Sequence, residues 1–325
     1  MNKTIYIFPN ADFKFEAWSK ALPEKTIVAS SGPYWKFIVL IWMSLFKYAN
    51  VIVFYRYLNN SKGLLHELVK LFIDFSIFFL SVLSFIEIRW IVHNIDKETY
   101  NRFSCMARLR RGILRVISKS FFVTSESLKD KLSINQSKVF AISFGEEYNS
   151  DQKNSGSQEL NSIIDSWKST FDHPIKYIGI LTNWSHKESS ALGIMEMLSN
   201  QGREGNICVV YVGEKIKLKS PYVLHINRKI EYFLKEVNVD FVVKGLNDLS
   251  IPYTMYSAAT AHIPLITSND SFFKSDLIKF KIGGPVESTL DIVAIVNSFV
   301  SDDADAFLKT NSWQHGAETL TRLNC

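Results

Sequence analysis

Short β-branched and aromatic runs alternate with longer stretches of helical periodicity along the whole chain, the pattern of βαβ units built around parallel sheets. In the first half the runs are Thr4–Phe8, Thr26–Ala29, Asn50–Tyr55, Arg89–Asn94, Ser120–Thr124 and Lys138–Ser143. In the second they are Ile175–Leu181, Ile207–Gly213, Tyr222–Ile226, Val239–Lys244 and Pro264–Thr267. Between the halves, residues 146–158 read EEYNSDQKNSGSQ, with no aliphatic side chain, which predicts an exposed connection between two folding units. The expected architecture is α/β: two doubly wound domains, residues 1–150 and 151–325. Open α/β sheets bind ligands outside the carboxyl ends of their strands. With two such domains, the expected site is the cleft between them.

Two apolar stretches interrupt the ordinary alternation. Residues 34–46 read YWKFIVLIWMSLF, with Trp35 and Trp42 one heptad apart and Lys36 and Lys47 at the ends. This is either a buried helix or a face lying on lipid headgroups, where tryptophan and lysine prefer to sit. Between Leu64 and Val92, the segment Phe75–Ile86 is apolar apart from serines and is bracketed by Asp74 and Glu87. A spanning helix needs roughly 20 apolar residues in a row, so this one is expected in a core or on a membrane surface. The N-terminus, MNKTIYIFPN, reads as a first strand, being too short in apolar residues for a signal peptide.

Composition narrows the class. The 325 residues are 47% hydrophobic and 21% charged, which excludes a disordered chain, and the aromatic residues crowd the first third. A net charge of +5 does not by itself call for nucleic acid. Cys105, Cys208 and Cys325 have neither disulfide nor zinc-ligand spacing, which fits a reducing cytosol.

The polar residues at strand ends are the candidates for chemistry. After the fourth strand, His93 and Asn94 precede Asp96, a histidine and a carboxylate positioned to take a proton from a hydroxyl. After the first, Asn10, Asp12 and Lys14 form a polar turn that would line the same site. The following helical stretch carries Arg102, Arg108, Arg110, Arg111, Arg115 and Lys119 with no acidic residue between Thr99 and Ser125. Beside aromatic helices, that cluster predicts attraction to anionic lipid headgroups or to a diphosphate, each cation near a charged membrane contributing about 1 kcal/mol. In the second half, Thr182, Asn183, Ser185 and Lys187 sit where a strand meets a helix N-terminus, a favourable place for phosphate. Gly213 and Lys215 follow the next strand, and Tyr253, Thr254 and Ser257 open a small-residue helix. Neither the Gly-rich dinucleotide pattern nor a P-loop is present, which argues against a dehydrogenase and an NTPase.

Two segments carry a resemblance. IVHN at 91–94 resembles the strand end that lines the acceptor side of bacterial exopolysaccharide and lipopolysaccharide glycosyltransferases of the GT-B fold, and IPYTMYSAATAHIPLITSN resembles their donor-site helix and strand. The resemblance implies two Rossmann-like domains, residues 1–150 binding the acceptor and 151–325 the nucleotide sugar. It implies a hexosyltransferase moving sugar from a nucleotide-diphosphate sugar to a lipid-linked or cell-surface saccharide in polysaccharide or O-antigen biosynthesis. No cofactor and no metal are implied, the nucleotide sugar being a co-substrate. The glutamates that many relatives carry on the donor helix and eight residues earlier fall here at Ser257 and Leu249, their lysine at Thr254 and their glycine at His262.

The expected roles follow: His93 and Asp96 catalytic; Thr182, Asn183, Lys187, Gly213, Lys215, Tyr253, Thr254 and Ser257 for the donor; Asn10, Asp12 and Asn94 for the acceptor; Arg108, Arg110, Arg111 and Arg115 for an anionic membrane. The expected location is the cytoplasm, at the inner face of the cell membrane, with no nucleic-acid partner. A non-catalytic GT-B homologue acting as a scaffold, or a GT-B-fold sugar-nucleotide epimerase, are the alternatives.

Overall fold

A computed structural model describes residues 4–21, 27–30, 33–56, 63–93, 95, 104–146, 155–182, 189–213, 218, 220–228, 230–245, 249 and 251–322. The chain divides into two compact units, Met1–Phe144 with Ser312–Cys325, and Gly145–Asn311. A single cut after residue 150 misses the return of the C-terminus to the first unit. The polar connection is also shorter than its composition predicts, because Ser155 already opens a helix.

In the first unit, six strands form one parallel sheet: β1 (Thr4–Phe8), β2 (Ile27–Ala29), β3 (Asn50–Tyr55), β4 (Glu87–Val92), β5 (Ser120–Val123) and β6 (Val139–Ala141), in the order β2-β1-β3-β4-β5-β6. All neighbours are parallel, with Ile5 opposite Val51, Val53 opposite Ile88 and Val92 opposite Val123. The central strands are apolar almost throughout because helices cover both faces, as parallel sheets require. Val51 to Tyr55 are all buried.

The helices are α1 (Phe13–Ala21), α2 (Trp35–Leu45), α3 (Leu64–Val82), α4 (Ser104–Ile117) and, at the C-terminus, α11 (Trp313–Thr321). Right-handed crossovers put α2, α3 and α4 in one layer, where α3 touches both neighbours, and α1 on the opposite face against α11. The return of α11 is specified by side chains. Arg89 donates to the carbonyls of Leu320 (2.7 Å) and Arg322 (3.0 Å), and the Tyr6 hydroxyl to that of Thr321 (2.8 Å). Gly316 lies so close to the Ser143 carbonyl that a Cβ there would sit 2.1 Å from it.

The second unit repeats the principle with a different strand order. Its strands are β7 (Tyr177–Thr182), β8 (Ile207–Val212), β9 (Val223–Ile226), β10 (Phe241–Val243), β11 (Leu265–Thr267) and β12 (Gly283–Pro285), all parallel, in the order β12-β11-β10-β7-β8-β9. The helices are α5 (Ser155–Lys168), α6 (Ser189–Gly205), α7 (Thr254–Thr260), α8 (Lys274–Phe280), α9 (Thr289–Ser298) and α10 (Ser301–Thr310). A core of Leu181, Met195, Leu198, Val209, Tyr211, Phe241 and Ile266 fills one side of this sheet. The edge strand β12 is absent from the sequence expectation. Its GGP has no β-branched residue, and Gly283, at φ +147°, approaches β11 so closely that a Cβ would meet the Leu265 carbonyl oxygen at 2.0 Å.

Candidate functional site

The order of each sheet marks where a ligand belongs. In the first unit the chain goes from β1 to β2 on one side and then crosses to β3 on the other, so the switch point lies at the carboxyl ends of β1 and β3. Residues that follow β1, β3 and β4 gather there, Lys14, Arg56 and His93 with the carboxylate of Asp12. Asp12 precedes α1 and accepts at Oδ1 from the Phe15 N–H (2.9 Å), an N-cap contact. The same oxygen accepts from Arg56, the residue after β3, at 2.7 Å. The Arg56 guanidinium is buried between rings, 5.4 Å from the centre of Trp18 and 5.9 Å from that of Phe8. Lys14, half-buried, lays its ammonium over Phe144 at 4.4 Å.

Burial, and charge crowding after it, set the protonation states. Burial first, and then the Arg56 charge, push Lys14 down to about 7, with Asp12 opposing them. His93, directly after β4 and half-buried, is held well below the usual imidazole range by burial, then by Lys14 and Arg56. At neutral pH, His93 is therefore an uncharged imidazole, and Lys14 is divided between its ammonium and amine forms. Groups so perturbed at a switch point are candidates for general acid–base work. Asn10 lies exposed in the same turn, while Asn94 and Asp96 fall outside the described residues. Arg56 was not singled out from the sequence. It follows a buried strand without motif context, and only the three-dimensional order of strands brings it to Asp12.

In the second unit the switch point lies between β7 and β10. Thr182 ends β7, while Asn183, Lys187 and Lys215 fall outside the described residues. Gly213 follows β8, and its carbonyl is within 3.1 Å of His225 Nε2, whose ring stacks on Tyr211 at 4.9 Å. After β10 comes Lys244, a buried lysine absent from the sequence candidates. Tyr253 precedes α7, its ring stacked on Tyr256 at 5.9 Å and its hydroxyl donating to the Glu146 carbonyl at 3.1 Å. Thr254 begins the helix half-buried, and Ser257 is buried one turn on. His262, just past α7, has φ +54°, the left-handed conformation that makes glycine usual at a helix C-terminus. Among the described residues, no three His, Cys, Asp or Glu side chains come together as a metal site would need.

The expected membrane cations divide. Arg108 and Arg115 are exposed on α4. Arg110 and Arg111 are buried and cannot meet a bilayer, a correction with a clear physical cause: α4 turns that face inward. Arg110 Nε lies 2.5 Å from Asp74 Oδ2 and its Nη1 3.5 Å from Glu67 Oε1. Tyr34 and Tyr55 donate to the other Asp74 oxygen at 2.5 and 3.0 Å. Arg111 donates to the Ile95 carbonyl at 2.8 Å and stacks over Trp90 at 5.4 Å. Lys119, counted with the unopposed cations, lies 3.8 Å from Glu87.

The sequence matches no family model, and no curated protein matches it in sequence. The fold has many counterparts among solved structures. The Anabaena protein HepE in complex with UDP superposes with a TM-score of 0.60 at 9% identity, over 99% of this chain and 100% of that one. Sucrose-phosphate synthase from Thermosynechococcus elongatus gives 0.60 at 10% identity, over 98% and 97%. A glycosyltransferase from Rickettsia africae gives 0.58 at 14% identity, over 98% and 96%. The chain thus has the GT-B architecture of two Rossmann-like units.

Proposed function

We propose that this chain is a glycosyltransferase that moves a hexose from a nucleotide-diphosphate sugar to a lipid-linked or cell-surface saccharide, in polysaccharide or O-antigen synthesis at the inner face of the cell membrane. The observation that carries this reading is the Lys14–Arg56–His93 cluster at the switch point of the first sheet. Solved structures of the same fold, one of them bound to UDP and one named a glycosyltransferase, support it. The second unit takes the nucleotide at the ends of β7, β8 and β10, with Thr182, Asn183, Lys187, Gly213, Lys215, Tyr253, Thr254 and Ser257, to which Lys244 is added. The first takes the acceptor between Asn10, Asp12 and Asn94.

Transfer needs the acceptor hydroxyl to lose its proton as the bond to the anomeric carbon forms, and the departing diphosphate to be stabilised. Neutral His93 accepts that proton, with Asp96 beside it in sequence. Burial, aided by Lys14 and Arg56, keeps His93 uncharged in the resting protein, and deprotonation of Lys14 near neutrality makes room for the new charge. No metal or other cofactor enters this scheme.

The replacement of the relatives' glutamates by Ser257 and Leu249 favours a second reading, a non-catalytic homologue that binds the nucleotide sugar or a partner enzyme. Thermal unfolding with a panel of nucleotides and nucleotide sugars, followed by transfer assays, separates the two. The transferase reading expects one nucleotide to raise the melting temperature, and His93→Ala to abolish transfer while that shift persists. Failure of every nucleotide to shift the melting point would favour the scaffold.

A further inference from the structure

The helix layer of the first unit is apolar on its outer face as well as on its inner one. α3 carries only two carboxylates, Glu67 and Asp74, and both are fully buried, closed around Arg110. Its outward stripe is Leu65, Leu68, Phe72, Phe75, Phe79 and Val82, spaced alternately by three and four residues, with Phe72 74% and Phe79 63% exposed. On a helix whose other face already packs on the sheet, that spacing should be polar. The neighbours extend it: α2 exposes Trp35, Val39 and Trp42, with Phe46 just after it, and α4 exposes Leu109 and Val116. Adjacent exposed apolar residues on three touching helices make a patch beyond what scattered surface residues produce.

The charge pattern selects the occupant. α2 and α4 contain no Asp or Glu, and those of α3 are inside. The exposed ionisable side chains on and beside the patch, Lys36, Lys47, His66, Arg108 and Arg115, carry positive charge or none. A second copy docking by a two-fold axis would set this cationic rim against itself. An anionic bilayer complements both features: acyl chains for the phenylalanines, headgroup phosphates for the lysines and arginines, and the interfacial zone for the two tryptophans. No helix among the described residues is long and apolar enough to cross a membrane, so α3, about 28 Å long at the rise of an α-helix, would lie along the surface.

We infer that the outward face of α2, α3 and α4 is a docking surface for an anionic lipid bilayer, held by the apolar stripe of α3 and the Trp35–Trp42 pair and steered by Lys36, Lys47, Arg108 and Arg115. This deepens the membrane clause of the function proposed above, but it uses no residue of the strand-end cluster, so each can fail alone.

Flotation of the full chain with vesicles tests it. Vesicles of phosphatidylcholine mixed with phosphatidylglycerol carry the protein upward, and pure phosphatidylcholine carries it less. Phe72→Glu with Phe79→Glu weakens partitioning on the order of a hundredfold, from the apolar area no longer buried. Arg108→Gln with Arg115→Gln weakens it about tenfold at low salt and less at high salt. His93→Ala floats like the parent. Unfolding midpoints matching the parent show that the variants fold. Should the phenylalanine variant not fold, quenching of the unsubstituted protein by bromine-labelled lipid, reduced in Trp35→Phe with Trp42→Phe, reads the same contact. Failure to float with the anionic vesicles, equal flotation of the phenylalanine variant, or a dimer in sedimentation equilibrium that this variant disperses, would overturn the inference.

Discussion

The two units share an architecture and differ in what their helices show to the outside. Each is a six-stranded parallel sheet with a switch point. Yet among the described residues the large apolar side chains exposed in the second unit are only Ile278, Leu290 and Val300, while α2, α3 and α4 of the first expose whole stripes. The second unit follows the common rule of apolar inside and polar outside. In the first, the carboxylates of α3 are inside with an arginine and two tyrosines, and phenylalanines are outside. A fold fixes where helices run; which face each helix turns inward depends on what the sheet beneath it can accept. Here β3 presents Tyr55, and α4 presents Arg110, so an aspartate can be satisfied inside.

Substitutions can break this contrast. The largest effect is expected from Arg110→Ala, which leaves Glu67 and Asp74 buried without their cation; a loss of roughly 3–5 kcal/mol is expected in denaturant unfolding. Burial, the largest influence, already raises the Asp74 pKa against the pull of Arg110 and the two tyrosines, so removing the arginine should raise it further. In the second unit, Gly283→Ala should cost about 1–3 kcal/mol, because the new Cβ meets the Leu265 carbonyl in a left-handed backbone. Phe72→Ser and Leu290→Ser should each change stability by less than about 0.5 kcal/mol, and only the first should reduce vesicle binding.

The strand-end cluster adds a prediction in pH. Because Lys14 lowers the pKa of His93, Lys14→Met should raise the His93 value, measured by imidazole NMR, and move the acidic limb of the transfer rate away from about 7, where Lys14 titrates. Stability has the matching sign. Native His93 takes up its proton at lower pH than the unfolded chain, which accepts one below about 6.5, so its contribution to stability is lost as pH falls from that value toward its native pKa. His93→Asn should flatten that slope, the smallest of these effects.

Much of this was legible in the residues. Runs such as Val51–Tyr55 and Ile207–Val212 are buried throughout because parallel strands are covered on both faces, and that signal is local. His93 at its strand end and the apolar stretches around Trp42 and Phe75 were visible for the same reason. Partners distant in sequence were not. The inward turn of Arg110 and Arg111 depends on Glu67 and Asp74 of α3 and Trp90 of β4, so a count of cations on α4 overstates the basic surface. Arg56 gains meaning only from Asp12, 44 residues earlier. The return of α11 depends on Arg89, 231 residues before Leu320. β12 escaped because Gly283 is chosen there for backbone proximity, not for strand propensity.

The division of labour proposed above gives the membrane and the acceptor to the first unit and the nucleotide to the second. Amide hydrogen exchange of the full chain, read by mass spectrometry with UDP, with anionic vesicles and with both, addresses it directly. The account predicts that UDP slows exchange in the segments following β7, β8 and β10, while vesicles slow it in residues 35–47, 64–85 and 104–117 and leave the second unit unchanged. Vesicle protection confined to the second unit, or nucleotide protection confined to the first, would contradict it.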